Sequence, residues 1–281
     1  MKGLLAKLFP ADQVFGAEEQ ELFVSANSIG MSMLDRIIRD YKRLMEQVNK
    51  TGLAQNPQGE VTLLDTTRLQ GGLQGLLTLA ATIRGSPRDV YALALHEFNE
   101  TINEPDISVR LHLYDAARTL LESLPSQERH HERLLLATLV HESHLNDQLM
   151  LASATIPEDL DRRAVLLASR MVMYSQLDAT EHRYIGQAFV FHAQRSTAMH
   201  YAERCEFFAW GITHIESSLV MKGSANTLYI LGSALADFSE VVFESEKRDA
   251  LREQAREVLW RSYELEKKQE VLDTIEKLDD E

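Results

Sequence analysis

Histidine and glutamate crowd one stretch of this sequence: Gln127 to Leu151 contains Glu128, His130, His131, Glu132, His141, Glu142 and His144. Glu128-x-x-His131 has the spacing with which carboxylate-bridged di-iron bundles project two ligands from one helix face. Such a centre needs a second Glu-x-x-His and two more glutamates on facing helices, and the sequence offers no second copy. At about 100° per residue, His130, His141 and His144 fall on one stripe, within about 60° of each other. Along a helix axis His130 and His141 are nevertheless about 16 Å apart, too far for one ion to bridge. Only His141 and His144 can share a ligand, and they need partners from elsewhere. The metal candidates are therefore Glu128, His131, His141 and His144. The same stretch carries Leu134, Leu135, Leu136, Leu139, Val140, Leu145, Leu149 and Met150. That content favours a largely buried helix whose histidines pair with neighbouring carboxylates or backbone, so no cofactor is expected.

Covalent chemistry has less to recommend it. A nucleophile needs a base within hydrogen-bond reach and a turn that exposes it, and no such elbow is recognisable, so no catalytic residue is assigned. Cys205 lies in the aromatic-rich stretch Tyr201 to Trp210 and is expected to be a small buried thiol. Gly71, Gly72 and Gly75 suggest a phosphate loop only superficially. The Lys-Ser/Thr of a P-loop and a preceding strand are both missing, and close helix packing or local flexibility accounts for them as well.

Two segments have the pattern of docking surfaces. Residues 1–10 set Leu4, Leu5, Leu8 and Phe9 against Lys2 and Lys7 and end at Pro10, an amphipathic basic segment that can lie on a membrane or a partner, or cap the protein's own core. In the C-terminal region, read as one extended helix from about residue 247, Leu251, Val258, Leu265 and Leu272 recur at heptad spacing. The second heptad position there is mostly polar (Gln254, Arg261, Lys268), so the helix is no self-sufficient coiled coil. A later stripe of Val271, Leu272, Ile275 and Leu278 packs back on the protein or meets another chain. The docking candidates are Leu4, Leu5, Leu8, Phe9, Leu265, Leu272 and Ile275.

The elements that carry these residues are helices. Apolar residues recur at three- and four-residue spacing almost throughout, and alternating runs rich in Val, Ile and Thr are nearly absent. Capping chemistry marks the boundaries, because a side-chain oxygen at the N-cap satisfies amides that have no partner inside the helix. Ser86-Pro87-Arg88-Asp89, Thr155-Ile156-Pro157-Glu158 and Asp178-Ala179-Thr180-Glu181 predict helix starts near 87, 157 and 180. Breaks are expected at Asn103–Asp106, Leu124–Ser126, Arg195–Ser196 and Lys222–Ser224, giving about nine helices over residues 63–281. Residues 51–60 are the least helical stretch and separate a long helix at 17–50 from the rest. The expected organisation is residues 1–50, a linker or hinge at 51–62, and a helical-hairpin domain over 63–281.

Hairpins starting near 63, 107, 157 and 197 show no fixed period. Leu228, Leu231, Gly232 and Leu235 stand at the spacing where tetratricopeptide repeats place Trp, Leu-Gly and Tyr. The continuation at Ala255 and Leu259 lies about ten residues too far downstream, so the match covers half a repeat.

Composition sets the outer limits. The 281 residues are 44% hydrophobic, which is too apolar for a disordered chain, and no run approaches the length of a membrane span. Residues 1–50 carry seven basic and seven acidic side chains, so the whole net charge of −14 lies beyond them. That body repels phosphate backbones and has no basic stripe, which argues against nucleic-acid binding. A single cysteine and an N-terminus without a secretory pattern set the expectation of a reducing, cytoplasmic location. The fold expected is all-α, with antiparallel helical hairpins stacked as a short α-solenoid of tetratricopeptide or HEAT type, or an irregular helical bundle. The function expected is a protein–protein interaction scaffold, adaptor or structural subunit, with protein partners and self-association both open. A helical metal protein or enzyme using the 128–144 cluster, and a peripheral membrane protein docking through residues 1–10, are the alternatives.

Overall fold

The computed structural model describes residues 36–43, 54–55, 61–62, 66–84, 86–102, 104–124, 128–150, 158–196 and 199–280. The amphipathic segment at 1–10, most of the expected helix at 17–50, and the Thr155–Pro157 cap lie outside these residues. The described chain is all-helical apart from a two-residue antiparallel pairing of β1 (Ala54–Gln55) with β2 (Val61–Thr62), both within the segment 51–62 expected to be a linker. Among the described residues no helix is long and apolar enough to cross a membrane. The chain divides into two compact units, one of Met1–Asn103 with Thr119–Pro125 and one of Glu104–Arg118 with Ser126–Glu281. The hinge expected at 51–62 therefore falls within the first unit.

In the first unit, α1 (residues 36–43) lays Ile37, Ile38 and Tyr41 on Leu76 and Ala80 of α2 (Thr66–Arg84). Gly72 permits this approach, since a Cβ there would lie 2.8 Å from the Tyr41 hydroxyl oxygen. Close packing thus accounts for one glycine of the supposed phosphate loop. Helix α3 (Pro87–Glu100) starts as its sequence predicts, with Pro87 in the first turn and the Ser86 hydroxyl accepting from the Asp89 amide. Its Leu93 joins Leu73, Leu77 and the partly buried Leu120 in one cluster.

The second unit holds the first part of α4 (Ile107–Glu122), then α5 (Arg129–Met150), α6 (Glu158–Met171), α7 (Ala179–Arg195), α8 (Tyr201–Met221), α9 (Ala225–Val241), α10 (Ser245–Leu265) and α11 (Gln269–Asp280). Helix α7 begins with a complete capping box, in which Asp178 accepts from the Glu181 amide and Glu181 accepts from the Asp178 amide. Ser224 caps α9. Consecutive helices pack on one another from α5 to α11, and α5 also touches α7, α7 touches α9, and α9 touches α11.

The most intimate pairs are α7 with α8 and α9 with α10, not the hairpins expected to start near 157 and 197. Glycine decides this. A Cβ on Gly186 would lie 2.6 Å from the Gly211 carbonyl oxygen, and one on Gly211 would lie 2.6 Å from Val190. Gly232 plays the same part on α9, where a Cβ would meet Leu259 at 2.6 Å and the Ala255 carbonyl at 3.3 Å. Asp178, Ile185, Gly186 and Ala188 of the first pair correspond in register to Ser224, Leu231, Gly232 and Ala234 of the second. Ala255 and Leu259, too distant along the chain to continue a tetratricopeptide pattern, are the residues that close on Gly232.

The C-terminal region corrects the expectation of one extended helix. Helix α10 ends at Leu265, and after Glu266–Lys268 the chain starts α11. The break lets Val271, Ile275 and Leu278 return to a core shared with Leu228, Leu231 and Leu259; a straight continuation would hold them away from it. Arg256 Nε donates to Asp279 Oδ1 at 2.7 Å and clips the two helices together. The docking candidates separate accordingly: Ile275 is 1% exposed and Leu265 is 66% exposed, while Leu272 is half-buried. Cys205, expected to be buried, is half-exposed on α8.

Candidate binding cleft

Structure divides the histidine–glutamate set of α5 in two. At the N-terminal end, Glu128 and His131 are joined by His130, with one ligand atom from each lying within 4.8 Å of the others. These nitrogen and oxygen donors suit a divalent transition ion, but they stand where the helix dipole is positive, which opposes a dication. His131 is buried, and His130 packs edge-on against it at 4.1 Å. The glutamates of the helix interior have structural partners: Glu132 pairs with Arg170 at 3.2 Å and accepts from the Tyr174 hydroxyl, and Glu142 accepts from Arg118 Nε at 2.8 Å.

His141 and His144 lie elsewhere, on the wall of a cleft. His141 Nε2 is 3.2 Å from the Tyr184 hydroxyl, and its ring stacks on Tyr114. Burial, with the nearby His144, Arg183 and Arg110, lowers its pKa to about 4 and keeps it neutral at pH 7. The His144 ring stacks on Phe191, and its pKa is lowered too, first by burial and then by Arg195. Both act here as neutral, polar aromatic walls.

The cleft has a volume of ≈ 350 Å³ and is walled mainly by α5, α7 and α9, with Ile215 of α8 and Glu270 of α11 also lining it. From α5 come Val140, His141, His144 and Asp147; from α7, Arg183, Tyr184, Gln187, Val190, Phe191, Gln194 and Arg195; from α9, Asn226, Tyr229, Ile230, Ser233, Ala234 and Asp237. The three- and four-residue spacing of these side chains gives each helix one face toward the opening. Arg195 fastens the walls. Its side chain is 6% exposed and pairs with Asp147 of α5 at 3.3 Å and Asp161 of α6 at 3.2 Å, while its guanidinium lies over the Phe191 ring at 4.6 Å. Ser143 accepts from Arg195 and donates to Asp161. Another hollow of ≈ 300 Å³ shares Arg195 and is lined also by Asp159, Asp161, Arg162, His192 and Ser196.

What distinguishes the cleft is unfinished hydrogen bonding. Six buried side-chain polar atoms among the described residues have no partner, and four of them belong to cleft residues: Arg183 Nε, Gln187 Oε1, Arg195 Nε and Ser233 Oγ. Buried polar atoms are normally satisfied by protein or by ordered water, so four on the residues of one cleft single it out among the described residues. Asp237 adds a carboxylate whose pKa is pushed up to about 7, mainly by burial and then by Glu240.

Sequence reasoning singled out His141 and His144 but not Arg183, Gln187, Ser233 or Asp237. A signal was present, since Asn226, Ser233 and Asp237 fall on one side of a largely apolar helix. No protein-family model, curated protein or solved structure matches this chain.

Proposed function

We propose that this chain is a protein-interaction module whose α5–α7–α9 cleft receives an extended peptide segment of a partner. The observation that carries the reading is the set of four unpaired buried atoms, two arginine donors, an amide acceptor and a serine hydroxyl, on residues that line one cavity. An extended main chain presents an N–H donor and a carbonyl acceptor at nearly every residue, which is the mixture these atoms lack. Val140, Val190, Ile230 and Ala234 supply the apolar part of the lining that side chains of such a segment would cover. Contacts between consecutive and alternate helices support a short stack of helical pairs, with α5, α7 and α9 forming its inner row.

The test is selection of ligands for the full chain from a random dodecapeptide library, followed by titration against variants. Arg183→Ala and Gln187→Ala each remove one partner of a hydrogen bond made in the cleft, and each is expected to weaken a selected peptide about tenfold while leaving the far-UV circular dichroism unchanged. Selected peptides that bind both variants as tightly as the parent would refute the cleft as the binding surface.

A further inference from the structure

We infer that the segment received by this cleft carries a lysine or arginine side chain whose cationic head pairs with the Asp237 carboxylate; the inference rests on the peptide-binding reading above. Among the described residues the Asp237 side chain makes no hydrogen bond or ion pair. The charged groups that face it are Glu240 of its own helix, Asp147 of α5, Arg195 of α7 and Lys277 of α11. Arg195 is held by Asp147 and Asp161, so its charge is already matched, and Glu270 adds a further carboxylate to the same cleft. With Arg195 set against Asp147 and Asp161, Arg183 and Lys277 remain against Glu240, Glu270 and Asp237, an excess of one carboxylate when Asp237 is ionised; in a chain whose net charge is −14, long-range attraction draws basic segments toward such a surface. Geometry completes the pocket. Ser233, which lines the cleft and whose hydroxyl has no partner, lies one helical turn before Asp237 on the same face of α9. Ile230 and Ala234 provide apolar surface for the aliphatic stem of a long basic side chain.

Pairing with a cation favours the ionised carboxylate, so binding must release a proton. Asp237 is about half protonated near pH 7 when the cleft is free and becomes ionised when it is filled. Dodecapeptides selected on the full chain are expected to contain at least one basic residue whose replacement by norleucine weakens binding about tenfold or more. The Asp237→Asn variant should show the same loss for the parent peptide and none for the norleucine peptide. Calorimetry at pH 7 in buffers of different ionisation enthalpy should find roughly half a proton released by the parent chain and none by Asp237→Asn. Peptides that depend on Arg183 and Gln187 but contain no basic residue, or that bind Asp237→Asn undiminished, overturn the cation pocket and leave the cleft standing. Selection of acidic peptides would overturn it in favour of Arg183 as the recognising charge. Peptides indifferent to Arg183, Gln187 and Asp237 alike, or no selected peptide at all, would overturn both readings.

Discussion

Replacing Asp237 by asparagine should remove a pH dependence that this single side chain imposes on the second unit. Its carboxyl pKa rises from 3.8 to about 7 in the folded protein, because burial penalises the ionised form and Glu240 repels it. Each pH unit of displacement corresponds to about 1.4 kcal/mol, so ionising Asp237 in the fold costs on the order of 4 kcal/mol relative to the unfolded chain. The sign follows from proton counting. Between pH 4 and pH 7 the folded state keeps a proton that the unfolded state has lost, so stability falls as pH rises and levels off above pH 7. Over the accessible range from pH 5 to pH 8 the fall attributable to Asp237 is about 3 kcal/mol. An asparagine at this site carries no titration. The cost of its buried amide, about 1–3 kcal/mol if unpaired, displaces the whole profile without tilting it. The chain's two tryptophans, Trp210 on α8 and Trp260 on α10, both lie in the second unit and report its unfolding. Urea titrations by tryptophan fluorescence at pH 5, 6, 7 and 8 should therefore show the difference between Asp237→Asn and the parent shifting by about 3 kcal/mol in favour of the variant. Profiles that stay parallel within about 0.5 kcal/mol would refute the reasoning, since they would place the Asp237 carboxyl in ordinary solvent.

Glycine and arginine substitutions test the packing. Gly186→Ala sets a methyl group 2.6 Å from the Gly211 carbonyl oxygen and should cost about 1–3 kcal/mol; Gly71→Ala has nothing within 4 Å and should gain about 0.5–1 kcal/mol of helix propensity. Thermal denaturation followed by circular dichroism separates the two, and an unchanged midpoint for Gly186→Ala would contradict the close crossing of α7 and α8. Arg195→Ala strands Asp161, whose side chain is 5% exposed, and should destabilise the second unit by about 3–5 kcal/mol in the same urea assay. A loss under 1 kcal/mol would mean that Asp161 finds water instead.

The sequence alone determines what is local. Ser86, Asp178 and Ser224 cap their helices because the amides they satisfy lie three residues ahead, within the span that a reading of neighbours covers. The all-helical character follows likewise from periodicity within single segments. The break after Leu265 is not local in this sense. Val271, Ile275 and Leu278 have one apolar stripe whether α10 continues or stops, and only a core built with α9 makes stopping favourable. The helix pairing is similar, because Gly186 and Gly232 give no sign in sequence of which backbone will approach them. The cleft is the furthest removed from sequence. Arg183, Gln187, Ser233 and Asp237 sit on two helices and become a site only when those helices pack side by side. Their unpaired polar atoms are a property of the assembled cavity, since in an isolated segment water would satisfy each of them.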